Sequence, residues 1–363
     1  MRSEILATYH ICSEAASIEE RARAVAVEQS VEMPVEAIED DRIRRDIVGE
    51  VRGIADLGSG LYEVRIALSA ETVGRDAGQL MNMLYGNASI LDHVTLRDAT
   101  LPQELVGAFG GPRQGFAELR AKVGAGARAL TSSALKPQGL PAEKLAELAR
   151  RFAEGGVDYI KDDHGLADQT YSPFAERVAR IGDALRKGGY PTRYMPSLTG
   201  HLDALKLQLR QAREAGIDCV MIAPMVSGPS NLQALAQQNP DIAILAHPAL
   251  AGAARLAPPL LIGKLFRLFG AGAVVFPNYG GRFGYSRETC RALADAALDE
   301  STGLKPAAPV PAGGMTLARV PELLDFYGRD VILLIGGNLL AAREHLVEET
   351  RAFVTRVERY QHE

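Results

Sequence analysis

The chain has 363 residues, a formal net charge of −5 at pH 7 and an apolar fraction of 47%. It is longer than one average domain, and its charge gives no reason to expect nucleic acid or an anionic membrane surface as a partner. No apolar run is long enough to cross a bilayer, and the N-terminus lacks the apolar segment of a signal peptide. Cys12, Cys219 and Cys290 are far apart and match no metal-binding spacing, so we expect a reduced, cytoplasmic protein.

The N-terminal part of the chain follows the order strand, helix, strand, strand, helix, strand. The predicted elements are a strand at 5–11, a helix from Ser17 to Val27, strands at 47–54 and 61–68, a helix at 77–85 and a strand at 90–96. The sequence Ser17-Ile18-Glu19-Glu20 is typical of a capping box at the start of the first helix. This order predicts a ferredoxin-like α+β domain over residues 1–120.

From about residue 128 the sequence changes to a regular alternation of strand and helix. The predicted strands are 131–136, 157–160, 193–197, 219–222, 242–246, 273–276, 308–312 and 331–335, each followed by a helix. Eight such pairs predict a closed (β/α)8 TIM barrel over residues 121–363. An open, doubly wound sheet is the alternative, but it requires a break in the alternation that the sequence does not contain.

Polar residues follow several of these strands, at the end where a parallel barrel builds its active site. Lys136 follows the first strand, Lys161-Asp162-Asp163-His164 follows the second, and His247 follows the fifth. The ordinary alternatives are a solvated turn for the cluster, a surface position for Lys136 and a buried, backbone-bonded imidazole for His247. The shared location at strand ends favours a catalytic role for these residues.

Two pairs of glycines, Gly313-Gly314 and Gly336-Gly337, follow the last two predicted strands, and Asn338 comes directly after the second pair. Glycines at these positions expose backbone N–H groups where barrels commonly bind a phosphate. A single Gly-Gly also suits any tight turn. The presence of both pairs favours a phosphate site at these residues.

Several segments resemble the large chain of ribulose-bisphosphate carboxylase. They most closely resemble the RuBisCO-like proteins (form IV), which share its fold without fixing carbon dioxide. The most specific segments are Lys136-Pro137 with Gly139-Leu140, and the run from Gly155 to Asp163. Supporting segments are Gly86-Asn87, Phe109-Gly110-Gly111-Pro112, Pro311-Ala312-Gly313-Gly314 and Gly336-Gly337. The resemblance extends over nearly the whole chain and implies an N-terminal α+β domain, a C-terminal barrel, and a homodimer or an assembly of dimers.

The resemblance implies a role for each residue at the strand ends. Lys161 matches a lysine that takes up carbon dioxide as a carbamate and, together with Asp163, binds one Mg2+ per site. His164 stands where the family has a glutamate as third ligand, and imidazole is neutral and softer than a carboxylate. Lys136 matches a lysine that moves protons at an enediolate, and His247 matches a substrate-facing histidine.

Other positions depart from the carboxylase. Gln138 stands near where the carboxylase has a second lysine, Pro248 replaces an arginine, and the loop 278–282 lacks the lysine that reaches over bound carbon dioxide. Glu28 and Asn87 match first-domain residues that reach into the partner subunit's active site. The threonine–tryptophan segment that helps to hold a second phosphate is missing after Glu28. We therefore expect one phosphate subsite and no carboxylation of ribulose bisphosphate.

The resemblance implies a magnesium-dependent enzyme that acts on a small phosphorylated keto-sugar or oxo-sugar acid through a metal-stabilised enediolate. The first prediction is decarboxylation or acyl cleavage of a 3-oxo-isoapionate phosphate-type substrate. The alternative is an isomerase or enolase of 5-methylthioribulose 1-phosphate-type substrates in sulfur salvage. A second alternative is a non-catalytic ligand-binding relative, in which Lys161 would carry no carbamate and no metal would bind.

Overall fold

The computed structural model describes residues 3–360. The packing of its Cα atoms divides the chain into two compact units. The first unit ends at Gly110 and also includes Leu250–Leu261, and the second contains Gly111–Ala249 and resumes at Ile262. The domain boundary at residue 120 stays a prediction, because a compact unit is defined by packing, whereas a domain is defined by folding on its own.

The first unit is built on a four-stranded antiparallel sheet. Its elements are β1 (Glu4–Cys12), α1 (Ile18–Glu28), α2 (Asp41–Asp46), β2 (Glu50–Asp56), β3 (Leu61–Ser69), α3 (Ala77–Tyr85), β4 (Val94–Thr100) and α4 (Gln103–Phe109). The strands lie in the order β2-β3-β1-β4, and all neighbours are antiparallel. In β1, Ile5, Ala7, Tyr9 and Ile11 are fully buried and alternate with more exposed residues, as expected for a strand with one face in a core. This arrangement confirms the predicted ferredoxin-like fold.

The second unit contains the parallel strands and the helices that connect them. Its strands are β5 (Leu130–Leu135), β6 (Tyr159–Asp162), β7 (Arg193–Met195), β8 (Ser197–Leu198), β9 (Cys219–Ile222), β10 (Ala243–Ala246), β11 (Ala273–Pro277), β12 (Ala308–Ala312) and β13 (Ile332–Leu334). Its helices are α5 (Phe116–Val123), α6 (Ala142–Glu154), α7 (Phe174–Lys187), α8 (Leu202–Glu214), α9 (Pro224–Ser227), α10 (Pro229–Gln238), α11 (Phe266–Leu268), α12 (Arg287–Leu298), α13 (Val320–Tyr327), α14 (Gly337–Leu340) and α15 (Leu346–Glu358). No helix within residues 3–360 combines the length and the apolar character needed to cross a membrane.

The parallel strands form two sheets, β12-β11-β10-β9-β8 and β13-β5-β6-β7. β7 and β8 are two parts of one strand interrupted at Pro196, which has no N–H to donate to a ladder. β12 also lies beside β13, so the two sheets meet at both ends and close into a barrel. Apolar side chains fill its interior, among them Tyr159, Met221, Leu245 and Val310. The predicted barrel is therefore confirmed.

Several predicted features differ from the structure. The second barrel strand is Tyr159–Asp162 rather than 157–160, so Lys161 and Asp162 lie within it and not after it. Ser17 is the N-cap of α1, but its side chain makes no capping hydrogen bond, so the predicted capping box is wrong. β4 begins at Val94 rather than at residue 90, because Asn87–Ile90 forms a 3₁₀ helix. The helix predicted at 256–269 is a π-helix, Pro259–Leu265, that continues into α11.

Candidate active site

The end of β6 carries the central residues of the predicted site. Lys161 and Asp162 are the last two residues of this strand, and they are 4% and 0% exposed. Asp163 follows them and is also buried, whereas the side chain of His164 is about half exposed. Because side chains alternate along a strand, Lys161 lies on the same side of β6 as Tyr159, in the barrel interior. The cluster is thus a buried strand end and not a solvated turn.

Asp163 receives most of the polar contacts in the site. Lys136, on the loop after β5, places its Nζ 2.5 Å from Oδ1, and Gln138 donates from Nε2 to Oδ2 at 3.2 Å. Nδ1 of His164 lies 3.4 Å from Oδ1. Burial alone would raise the pKa of Asp163, but hydrogen bonds from His164 and Lys136 outweigh burial and hold that pKa well below its usual range. The carboxylate is therefore ionised at neutral pH, as a metal ligand has to be.

Burial makes Lys161 more reactive towards carbon dioxide than an exposed lysine. Its Nζ donates to the backbone oxygen of Asp162 at 2.8 Å. Burial lowers the pKa of Lys161 to about 8, against the opposing effect of the Asp163 carboxylate. At pH 7 this shift increases the neutral fraction of the amine from roughly 0.03% to roughly 10%. Carbon dioxide adds only to the neutral amine, so burial favours the carbamate that the resemblance implies.

The side chains of His164 and His247 stack on each other. Their rings are nearly parallel, at 4°, and their centroids are 4.6 Å apart. Nδ1 of His247 accepts a hydrogen bond from the N–H of Ala249 at 3.2 Å, which leaves the ring proton on Nε2. Burial, together with the nearby charge of Lys161, lowers the pKa of His247 to about 2, so this imidazole is neutral at physiological pH. It can therefore act as a neutral hydrogen-bond donor.

The two glycine pairs form the turns after β12 and β13. Gly313 and Gly314 have φ angles of +89° and +84°, in the left-handed region that favours glycine. Gly336 is the N-cap of the short helix α14, which contains Gly337 and the exposed Asn338. Within the described residues, no acceptor pairs with the backbone N–H groups of Gly313, Gly314 and Gly336. The turns thus present donors, and their use for a phosphate stays a prediction.

Glu28 and Asn87 meet in the first unit. Nδ2 of Asn87 donates to Oε1 of Glu28 at 2.8 Å and lies 3.3 Å from Oε1 of Glu32. Gln29 stabilises this arrangement, because its side-chain oxygen accepts from the N–H of Ala88 at 2.9 Å. Sequence reasoning missed Glu32, which lies beyond the end of α1 and so gave no helical-spacing signal. The role of Glu28 and Asn87 in a partner subunit's site stays a prediction.

A divalent metal ion would be held in this site by Asp163, His164 and a modified Lys161. Across residues 3–360, no three His, Cys, Asp or Glu side chains are grouped so that they could bind a metal. A carbamate on Lys161 would add an oxygen donor to the Asp163 carboxylate and the His164 imidazole. That set offers two anionic oxygen donors, which magnesium prefers, and one nitrogen donor. The chemistry of these three residues therefore fits magnesium and a lysine carbamate.

Three features define the class of this protein: an antiparallel sheet unit, a parallel barrel, and a lysine and an aspartate at the end of the second strand of the barrel. Proteins of this class are built like the large chain of ribulose bisphosphate carboxylase. Residues 115–346 match the sequence model of that family, described as the ribulose bisphosphate carboxylase large chain, catalytic domain. The chain belongs to this family, and the resemblance seen in its motifs is confirmed.

Proteins similar to this chain refine its place in the family. A 5-methylthioribulose-1-phosphate isomerase from Rhodospirillum rubrum is 58% identical over 362 residues, 98% of this chain and 97% of that protein. A 2,3-diketo-5-methylthiopentyl-1-phosphate enolase from Geobacillus thermodenitrificans is 34% identical over 367 residues, 93% of this chain and 87% of that protein. The crystal structure of a Rubisco-like protein from Rhodopseudomonas palustris is 51% identical, with a TM-score of 0.94 over 100% of both chains. The chain is a RuBisCO-like enzyme.

Proposed function

We propose that the protein is an isomerase of 5-methylthioribulose 1-phosphate, a phosphorylated ketose. The observation that carries the proposal is the contact between Lys136 Nζ and Asp163 Oδ1 at 2.5 Å, in a chain 58% identical to an enzyme of that name. A ketose isomerase needs a group that removes a proton beside the carbonyl and returns it to another carbon. A lysine placed beside a metal-ligating carboxylate suits that task.

In the proposed enzyme, the carbamate of Lys161, Asp163 and His164 would hold one magnesium ion. Magnesium bound there would act as a Lewis acid on the substrate carbonyl and make the adjacent C–H more acidic. The lowered pKa of the buried Lys161 and the ionised Asp163 support this assignment.

Other residues of the chain transfer the proton and bind the substrate. Lys136, as a free amine, accepts the proton from the carbon beside the carbonyl and then, as an ammonium, returns it to carbon. His247 donates from Nε2 to a substrate oxygen on which negative charge develops. The N–H groups of Gly313, Gly314 and Gly336 bind the phosphate. The reaction needs no oxidant or reductant, because one proton leaves carbon, one returns, and a hydroxyl proton moves to the former carbonyl oxygen.

The other predicted activities have less support. Decarboxylation or acyl cleavage of a 3-oxo-isoapionate phosphate-type substrate stays a prediction, since neither the isomerase nor the enolase described above is named for such a substrate. The enolase alternative depends on a relative that is 34% identical, whereas the isomerase is 58% identical. The homodimer and the cytoplasmic location belong to the proposal as well.

The test is NMR spectroscopy of 5-methylthioribulose 1-phosphate incubated with the protein, magnesium and bicarbonate in deuterated water. We expect deuterium on carbon and a new ketose phosphate, without release of carbon dioxide. Lys136→Met should abolish both signals. Lys144→Met, which alters a lysine of α6 whose side chain is 60% exposed, is the matched control and should change neither.

Two other outcomes would contradict the isomerase. Release of carbon dioxide from an oxo-sugar acid phosphate, with no turnover of the methylthio substrate, would favour the lyase. Absence of deuterium exchange in protein that has bound magnesium would favour the non-catalytic ligand-binding relative.

A further inference from the structure

A fully buried ion pair lies behind the proposed metal ligands. The side chains of Asp162 and Arg177 are both 0% exposed, and Nε of Arg177 lies 3.2 Å from Oδ2 of Asp162. Asp162 stands between Lys161 and Asp163 in the chain but points to the other side of β6, towards α7, which carries Arg177. Because it faces away from the barrel interior, Asp162 is not a ligand in the proposed site.

The carboxylate of Asp162 joins β6 to the neighbouring interrupted strand. The hydroxyl of Tyr194 donates to Oδ1 at 2.6 Å, and the backbone N–H of Ser197 donates to Oδ2 at 3.0 Å. Tyr194 lies in β7 and Ser197 in β8, on either side of Pro196. Asp162 therefore fixes the end of β6 where the ladder to the next strand is broken.

The guanidinium of Arg177 holds the loop that follows His164. Its Nη1 donates to the carbonyl of Ser172 at 2.7 Å, and its Nη2 donates to the carbonyl of Ala167 at 2.8 Å. One buried side chain thus contacts the residue before Asp163 and also the loop after His164. The ion pair restrains the Asp163-His164 segment from both sides.

We infer that Asp162 and Arg177 are positioning residues for the metal site. The inference rests on the proposed function, because it assigns no new ligand and concerns only how firmly the proposed ligands are held. A buried ion pair adds little stability compared with packed apolar side chains of similar volume, so stability alone does not account for it. Residues that orient metal ligands typically change metal affinity about 10- to 100-fold when they are replaced.

The experiment removes both charges together, as Asp162→Leu with Arg177→Met, so that no buried charge is left unpaired. Manganese binding measured by EPR reports metal affinity, and ¹³C NMR with labelled bicarbonate reports the carbamate. Thermal unfolding checks the fold. We expect a folded protein with a lower melting temperature, because the carbonyls of Ser172 and Ala167 and the N–H of Ser197 lose their partners, and a manganese affinity about 10- to 100-fold lower.

An ion pair at the opposite end of the same strand provides the matched control. Nη2 of Arg128 lies 2.6 Å from Oδ1 of Asp158, which precedes β6. Asp158 also accepts from a backbone N–H, that of Thr131, so its removal disturbs a network comparable with that of Asp162. Asp158→Leu with Arg128→Met should leave the manganese affinity and the carbamate signal unchanged.

A folded double variant at Asp162 and Arg177 that binds manganese as tightly as the unaltered protein would overturn the positioning role. If that variant does not fold, Tyr194→Phe, which deletes only the 2.6 Å hydrogen bond, decides the matter. Lower manganese affinity at an unchanged melting temperature would support the inference, and unchanged affinity would overturn it. Failure of the unaltered protein to bind manganese or to form a carbamate would instead overturn the proposed metal site itself, before any variant is compared.

Discussion

Among single residues, Lys161 is predicted to govern the pH dependence of activation. Burial lowers its pKa from 10.5 to about 8, and only the neutral amine adds carbon dioxide. The rate of activation by bicarbonate and magnesium should therefore rise with pH and level off above about pH 8.

Lys161→Ala should abolish metal binding and activity, whereas Lys161→Glu should keep some metal, because its carboxylate mimics part of the carbamate. Activity that is unchanged after removal of carbon dioxide and bicarbonate would contradict the carbamate.

His164 is predicted to govern how tightly the proposed site holds magnesium. His164→Glu adds a third anionic oxygen donor and should tighten magnesium binding about tenfold, because the charge of the ligands governs affinity. Turnover should fall, since the added charge makes the metal a weaker Lewis acid. Isothermal titration with magnesium, beside steady-state kinetics, measures both effects. His164→Gln is the uncharged control, and weaker binding in the Glu variant than in the Gln variant would count against His164 as a ligand.

Some contacts of the site could be predicted from sequence and others could not. Lys161 and Asp163 were predictable, because they are close in sequence and lie at the end of a recognisable strand. The stack of His164 on His247 and the contact of Lys136 with Asp163 join different strands, so they depend on how the barrel closes. Sequence reasoning treated Gln138 as a replaced lysine and gave no sign that it donates to Asp163.

At the scale of elements, the turns after β11 and β12 approach each other through their backbones. A Cβ on Gly281 would lie 2.0 Å from the carbonyl oxygen of Gly313, so Gly281→Ala must push the two turns apart. We expect the KM for the phosphorylated substrate to rise about tenfold, equivalent to about 1.4 kcal/mol of lost binding. Gly284→Ala is the control, because a Cβ there meets nothing within 4 Å. An unchanged KM with a lower melting temperature would show that the contact serves stability only.

The elements themselves were largely predictable, because the period of apolar residues is a local signal. β9 and β12 span the residues predicted for them. The errors have local physical causes. Ser17 occupies the N-cap position without using its side chain. The segment from Pro259 adopts a π-helix, whose i→i+5 hydrogen bonds are too rare to be expected from an apolar pattern.

For the whole molecule, the order of the elements was enough to predict the ferredoxin-like fold of the first unit and the barrel of the second. Consecutive elements usually lie side by side, so their order restricts the topology strongly. The assignment of Leu250–Leu261 to the first unit was not predictable, because the segment lies in the barrel half of the sequence. Its membership depends on specific contacts, including the bridge between Leu96 and Leu256 and the ion pair of Arg255 with Asp92. Such contacts between distant parts of a chain leave no periodic signal.

In the proposed dimer, each active site contains residues from both chains. Nδ2 of Asn87 donates to Oε1 of Glu28 at 2.8 Å, and the resemblance assigns both residues to the partner subunit's site. Glu28→Gln keeps the size of the side chain and removes its charge, while Lys161→Ala removes the carbamate, so each variant should be inactive alone. In a mixed dimer one site would carry both changes and the other neither, and random exchange of subunits should restore about a quarter of the full activity. Activity assays after confirmed subunit exchange decide the question, with the separate variants as controls. If no activity returns, each site is built from one chain, and Glu28 acts within its own subunit or not at all.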